Sequence, residues 1–367
     1  MTATLSAGAA TASGGGLRVA FVAPARYPVR EPFAGGLEAF CHTIVEALRG
    51  AGHHVDFYAA RGSDGNVEAF ELPGVDWGAD ADKATDTTYP PGAQERENAA
   101  FARLRRHLVD ARYDVVHNNS LNPYMFAGAH SPEPLPMVTT LHTPELPELK
   151  QAILAAGTLA GRFAAVSPTT ARMWTIPHHI SVIPNGVNVH AWRPGPGGGP
   201  AVWFGRLVPE KGAHLAMEAC RQLGLPLLVA GRAGDHAYFR REIAPRLDAH
   251  HARWLGELPH SRLRALVGSC AVSLATPRWE EPFGLVAFES MACGTPVAAF
   301  ARGGMGELLR GGPAALAEPD DVGSLAQAVR AALHISRAEV RDWVVKNYSL
   351  NRTARRYVSL YREVALR

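Results

Sequence analysis

Residues 276–297 read TPRWEEPFGLVAFESMACGTPV. An apolar run, CAVSLATP (270–277), enters this stretch as a buried strand, and TPVAAFA (295–301) leaves it as another. Between them LVAFESMACG (285–294) has helical character and ends on Gly294, as a C-cap should. Strand, turn, helix and strand in that order define a parallel sheet wrapped by helices. Pro282-Phe283-Gly284 forms the turn, and Gly284-Leu285 opens the helix. A helix start offers unpaired backbone N–H groups and the positive end of its dipole, which together bind phosphate. Glu281 and Glu289 bracket seven residues, so Glu289 lies a little over two turns beyond Glu281. A carboxylate there can accept hydrogen bonds from ribose hydroxyls, while Glu281, ahead of the turn, can face a sugar ring. Two incidentally exposed glutamates on an ordinary strand-turn-helix are the alternative, and the Glu-Pro-Phe-Gly context argues against it.

Upstream in the same half, PAVWFGRLVPEKGAHLA sets Gly205-Arg206 after a strand and Lys211-Gly212 before a helix. Two cations five residues apart on one strand-to-helix loop suit a diphosphate, arginine forking across oxygens and lysine acting as a point charge. Further out the same rhythm recurs. LRVAFVAP (17–24), HHVDFYA (53–59), YDVVHNN (113–119), LPMVTTLH (135–142), RFAAVS (162–167) and HHISVIPNG (178–186) read as strands. GLEAFCHTIVEALRGAG (36–52) and ENAAFARLRRHLVDAR (97–112) read as helices between them. RPGPGGGP (193–200) breaks the pattern and reads as a linker; beyond it PAVWFGRL (200–207), LPLLVAG (225–231) and ARWLGEL (252–258) continue the strands. The expected architecture is α/β: two doubly wound, Rossmann-like domains facing across a cleft, with ligands at the carboxyl ends of the strands. The boundaries are a flexible tail at 1–16, a first domain at 17–193, a second at 194–350, and a C-terminal helix at 351–367 crossing back to the first domain.

These motifs resemble the retaining glycosyltransferases of family 4, which have the two-domain GT-B fold and use nucleotide-sugar donors. The signature Glu-x(7)-Glu followed by x-Met-Ala-x-Gly-x-Pro-Val spans Glu281 to Val297, and the donor loop Gly-Arg-Leu-x-x-x-Lys-Gly spans Gly205 to Gly212. Ile183-Pro184-Asn185-Gly186-Val187-Asn188 is similar to the family's exit from the first domain, with Asn188 where aspartate is common. The resemblance implies that Arg206 and Lys211 hold the donor diphosphate, that Glu289 binds the ribose, and that Glu281 meets donor-sugar hydroxyls beside the Phe283, Gly284 and Leu285 backbones. The base is expected near Gly231-Arg232 and Glu257-Leu258. His142, which ends a strand in TTLHTPE, matches the family histidine beside the donor sugar. Gly35-Gly36 forms a glycine loop at a helix start, where a backbone can approach a ligand closely. His117, Asn118 and Asn119 end another strand and are candidates for the acceptor side, along with Gly35; for His117 a purely structural role stands as the alternative. The function implied is transfer of a hexosyl unit, UDP-linked, to a small-molecule or glycan hydroxyl, with retention of configuration.

Composition excludes several other classes. The 367 residues are 47% apolar, which allows two ordered domains. Thirty-seven basic residues against 34 acidic ones leave a net charge of +3, too even for a nucleic-acid binder. No stretch is long and apolar enough for a membrane span, so no integral membrane association is expected. The start has no basic segment and no signal-like core, and Cys41, Cys220, Cys270 and Cys293 form no CxxC pair; both point to the cytoplasm. No GxGxxG is present, so no dinucleotide cofactor is expected. Asp80-Ala81-Asp82 is formally the Asp-x-Asp of metal-dependent transferases, but it lies in a polar stretch without a preceding strand, and no metal is expected. A nucleotide-sugar epimerase on the same fold, or a non-catalytic nucleotide-sugar binding protein, are the rival readings.

Overall fold

A computed structural model describes residues 16–78, 88–128 and 132–365. The first sheet holds β1 (Arg18–Val22), β2 (His54–Tyr58), β3 (Val115–Asn118), β4 (Met137–Leu141), β5 (Arg162–Ala165) and β6 (Ile180–Val182) in the order β2-β1-β3-β4-β5-β6. The second holds β7 (Gly199–Phe204), β8 (Leu227–Ala230), β9 (Ala252–Trp254), β10 (Cys270–Ala275), β11 (Val297–Phe300) and β12 (Ala315–Ala317) in the order β12-β11-β10-β7-β8-β9. All pairings are parallel, as strands buried on both faces require. The first domain carries α1 (Gly36–Gly50), α2 (Ala93–Ala111), α3 (Pro147–Ala156) and α4 (Pro168–Met173). The second carries α5 (Ala213–Gln222), the single turn α6 (His236–Tyr238), α7 (His260–Ser269), α8 (Leu285–Ala292), α9 (Gly303–Leu309), α10 (Val322–Ala332) and α11 (Arg337–Tyr348). The last helix, α12 (Leu350–Ala365), returns to the first domain.

Periodicity explains the layers. In α1 the buried residues Phe40, Cys41, Ile44, Val45 and Leu48 recur at helical spacing, and in α12 Tyr357, Leu360, Tyr361 and Val364 do the same. These two stripes meet over β1 and β3, forming one face of the first domain's core. The crossover helix is therefore part of that core rather than a tail. All four cysteines are buried and unpaired.

The crossing between domains lies a little earlier than the composition shift at 193–200 suggests. Val187 and Ser349 form a parallel bridge, with Val187 N–H donating to Tyr348 O at 2.8 Å and Leu350 N–H to Val187 O at 2.9 Å. Both chain passages thus run side by side. Beyond them the glycine-rich segment is tied down: Gly197 N–H donates to Gly268 O at 3.0 Å, and the Arg337 guanidinium reaches Gly195 O at 3.3 Å. Glycine permits that tight contact with α7, so composition that signals a loose linker here reflects close packing. No helix among the described residues is long and apolar enough to cross a membrane.

Candidate active site

Each sheet reverses its winding once, between β1 and β3 in the first domain and between β7 and β10 in the second. Crevices form at the carboxyl ends of strands at such points. The candidate residues collect there: Gly205-Arg206 follow β7, Gly231-Arg232 follow β8, Leu258 follows β9, and Glu281 stands between β10 and α8. Across the cleft, Gly35 caps α1, Asn119 follows β3, and His142 follows β4.

Two helix starts converge on this cleft. Leu285 opens α8 and Gly36 opens α1, and a β-carbon on Gly36 would come within 3.3 Å of Leu285 Cδ1. A β-carbon on Gly35 would lie 3.8 Å from Arg206 Nε and 3.1 Å from Glu38 Oε2, so the Arg206 side chain spans from one domain to the helix start of the other. The α8 cap, Gly284, has a φ of 80° and would place a β-carbon 2.6 Å from Met305. Left-handed backbone and close approach together demand glycine. From the first domain, Thr170 Oγ1 donates to Pro282 O at 3.5 Å and braces the same turn. Phe283 itself points into the core and stacks on Phe288 at 4.5 Å, so only its backbone faces the cleft.

Lys211 and Glu281 meet directly. Lys211 Nζ lies 2.5 Å from Glu281 Oε2, with side chains 24% and 11% exposed. The Trp279 indole N–H donates to the same oxygen at 2.8 Å, and the ammonium sits 5.2 Å from the Trp279 ring centroid. Trp279 escaped the reading of the sequence, although its place two residues before Glu281 was a signal. Tyr27 was also missed: its ring lies 5.2 Å from the Arg232 guanidinium, across the cleft.

Glu289 sits on α8 at the wall of a cavity of 360 Å³ that Phe33, Trp192, His260, Arg264 and Glu31 also line. Burial pushes its carboxyl up to about 8, opposed only in part by the charge of Arg264. Glu31 Oε1, from the first domain, lies 3.5 Å from Arg264 Nη2 and 3.7 Å from His260 Nδ1.

On the first domain's side, His142 is 9% exposed and burial pushes its imidazole down to about 3, so it is neutral near pH 7. Its Nε2 lies 2.9 Å from Asn119 Oδ1, and the Phe40 ring packs against it at 5.0 Å. The expectation that His117, Asn118 and Asn119 line an acceptor pocket is corrected here. All three are buried to 1% exposure or less. His117 Nδ1 meets Tyr361 OH at 2.6 Å and Nε2 meets Thr140 Oγ1 at 2.7 Å, locking the ring beneath α12. Asn118 Oδ1 accepts from Ser120 Oγ at 2.7 Å and Asn119 supports His142, so these side chains serve the loop and its neighbour rather than a ligand surface. Among the described residues no group of three or more His, Cys, Asp or Glu could hold a metal, and Asp80-Ala81-Asp82 lies outside the described residues.

Two facing Rossmann-like domains, with helix starts and two cations converging in the cleft, define a nucleotide-binding protein of the GT-B architecture. Family comparison agrees: residues 34–191 match the model described as Glycosyltransferase Family 4, and residues 201–348 match Glycosyl transferases group 1. The chain belongs to the family 4 glycosyltransferases. It is 35% identical to a glycogen synthase of Mycobacterium tuberculosis over 165 residues, 42% of this chain and 40% of that enzyme, so the match spans less than half of that relative. It is 26% identical to a phosphatidyl-myo-inositol mannosyltransferase of Mycobacterium leprae, over 86% of this chain and 87% of the relative. The solved structure of Anabaena HepE in complex with UDP and glucose superposes with a TM-score of 0.70 at 18% identity, covering 94% of this chain and 98% of that one.

Proposed function

We propose that this protein transfers a hexosyl unit from a nucleoside-diphosphate sugar, UDP-linked and glucose-type, to a hydroxyl of a small-molecule or glycan acceptor, with retention of configuration. The observation that carries the reading is the convergence of Arg206, Lys211 and the starts of α1 and α8 in the cleft, with Glu289 about one turn along α8. Departure of a nucleoside diphosphate builds negative charge on its β-phosphate. Fixed N–H groups and a guanidinium in a low-dielectric cleft offset that charge without reorganising. Glu289, with its carboxyl facing a cavity of nucleoside size, is suited to the ribose hydroxyls. The UDP and glucose bound by HepE favour the uridine reading.

Retention by double displacement needs a nucleophile at the sugar face. The Glu281 oxygen nearest the cleft cations is held by Lys211 and Trp279, and His142 Nε2 by Asn119. These engagements favour attack from the leaving-group side, with the departing phosphate taking the acceptor proton. Metal independence follows in the same reading, because Arg206 and Lys211 supply the positive charge. Activity should survive EDTA; loss in EDTA and return with manganese would overturn that part. We read the protein as cytoplasmic, on its four buried unpaired cysteines.

The test is thermal shift against UDP, GDP, ADP and their sugars. A ligand at 100 times its dissociation constant adds about 2.7 kcal/mol of stability. UDP should shift the wild type by several degrees and the Arg206→Ala variant hardly at all. No shift with any nucleotide at millimolar concentration would sink the reading.

A further inference from the structure

The hydrogen bonds around His142 determine which of its nitrogens carries the proton. Asn119 is fully buried, and its backbone N–H donates to Val22 O at 2.8 Å, fixing the residue at the end of β3. Its side-chain Nδ2 donates to the carbonyl oxygen of His117 at 3.3 Å. A carbonyl oxygen only accepts, so the amide nitrogen must face it and the amide oxygen must face His142. Oδ1 stands 2.9 Å from His142 Nε2. An amide oxygen also only accepts, so Nε2 carries the hydrogen. Burial keeps the ring neutral near pH 7, which leaves Nδ1 with a lone pair.

We propose that Asn119 is a positioning residue that holds His142 as the Nε2–H tautomer, so that Nδ1 is offered as a hydrogen-bond acceptor to a hydroxyl of the donor sugar. This rests on the proposed function for the sugar's presence, while the tautomer itself rests only on the fold. The consequence is a sorting of ligand groups. A sugar hydroxyl can donate to Nδ1, whereas a phosphate oxygen, an acceptor only, is repelled from it. His142 therefore helps keep the diphosphate on the Arg206 side of the cleft and the sugar ring under the first domain. It cannot serve as a proton donor through Nδ1 in this state. The signal is a pair of polar side chains just beyond the ends of adjacent strands, β3 and β4.

The experiment is long-range proton–nitrogen correlation NMR on the full chain with labelled histidine, the His142 signals assigned by their loss in His142→Phe. The expected spectrum at pH 7 shows a protonated Nε2 and an unprotonated Nδ1. Asn119→Ala should move both nitrogens toward averaged values, while Asn119→Asp, which still accepts from Nε2, should keep Nε2 protonated. In transfer assays Asn119→Ala should lower kcat about tenfold with the donor KM within about twofold, the pattern of an interaction strengthened in the transition state. A wild-type spectrum with the proton on Nδ1, or an Asn119→Ala variant with unchanged tautomer and kcat, overturns the proposal. The wild-type spectrum needs neither activity nor the variant's folding. A protein that binds no nucleotide yet shows the Nε2–H tautomer would refute the functional reading and leave the role of Asn119 in place; the reverse result would do the opposite.

Discussion

Donor binding should release a proton, and Glu289 should be its source. In the unliganded protein burial holds this carboxyl at about 8, so at pH 7 about nine-tenths of the molecules carry the proton. Ribose hydroxyls donate hydrogen bonds, and bonds donated to the ionised carboxylate favour that form. UDP binding therefore pulls the titration downward and expels the proton. A fall to the ordinary carboxyl range would release roughly 0.9 proton per UDP at pH 7, about half a proton at pH 8, and almost none at pH 9.5. Affinity should rise about ninefold from pH 6 to 7 and about fivefold from pH 7 to 8. The assay is titration calorimetry in buffers of different ionisation enthalpy, with Glu289→Gln as the control that subtracts protons lost by the nucleotide itself. Equal release from wild type and Glu289→Gln would refute the assignment of Glu289 to the ribose. The same group sets a stability trend. A carboxyl raised in the folded state holds a proton that the unfolded chain has already lost, so its contribution is most favourable at acid pH and is lost as pH rises to about 8. With allowance for its partial exposure, Glu289→Gln should gain on the wild type by about 2 kcal/mol by pH 8 and match it near pH 4.

Three further outcomes follow from the geometry. Lys211→Met leaves Glu281 with an unpaired charge in a largely buried place and should cost about 1–3 kcal/mol by denaturant unfolding, part of which Lys211→Met/Glu281→Gln should recover; strict additivity in that cycle would refute direct coupling. Gly284→Ala forces a side chain at a φ of 80° into Met305 and should cost about 1–3 kcal/mol while abolishing the UDP-induced thermal shift; wild-type UDP binding would show that the α8 start is dispensable. Tyr361→Phe removes the hydroxyl 2.6 Å from His117 Nδ1 and should lose about 1 kcal/mol of stability with kcat unchanged, whereas a fall in kcat at full stability would return His117 to the substrate side.

The second domain was the more legible half because its candidate ligand groups are tied to local chain geometry. A Glu-x(7)-Glu spacing fixes where two carboxylates stand relative to one helix start, and a Gly-Arg followed by Lys-Gly fixes two cations on one loop. What spacing cannot show is the contact between those segments. Lys211 and Glu281 are 70 residues apart, and their 2.5 Å pairing arises only because β7 and β10 are neighbours at the point where the sheet reverses. The glycine-rich segment at 193–200 shows a related limit: glycine marks both looseness and close approach, and the α7 backbone opposite Gly195 and Gly197 tells them apart.

In the first domain the residue types at the strand ends were seen, but their direction was not. His117 and His142 both belong to the carboxyl ends of neighbouring strands, one as the third residue of β3 and the other just beyond β4. Side chains alternate across a sheet, so a shift of one position decides between core and cleft. His117 falls on the face that α12 covers, where Tyr361, 244 residues away in sequence, bonds its Nδ1 and the Tyr357 ring packs on it. His142 falls beyond the strand, where Asn119 Oδ1 meets its Nε2 and the Phe40 ring packs against it. The difference between the two histidines therefore lies in the return of the last helix, which covers one of them. That same return makes α12 a determinant of the active site: by filling the His117 face it holds the ends of β3 and β4 in register, and with them the Asn119–His142 pair. A chain cut before Leu350 would lose more than a helix, because His117, stripped of the Tyr357 ring and of the Tyr361 hydroxyl, would be left with its Nδ1 unpaired close to the Asn119–His142 pair.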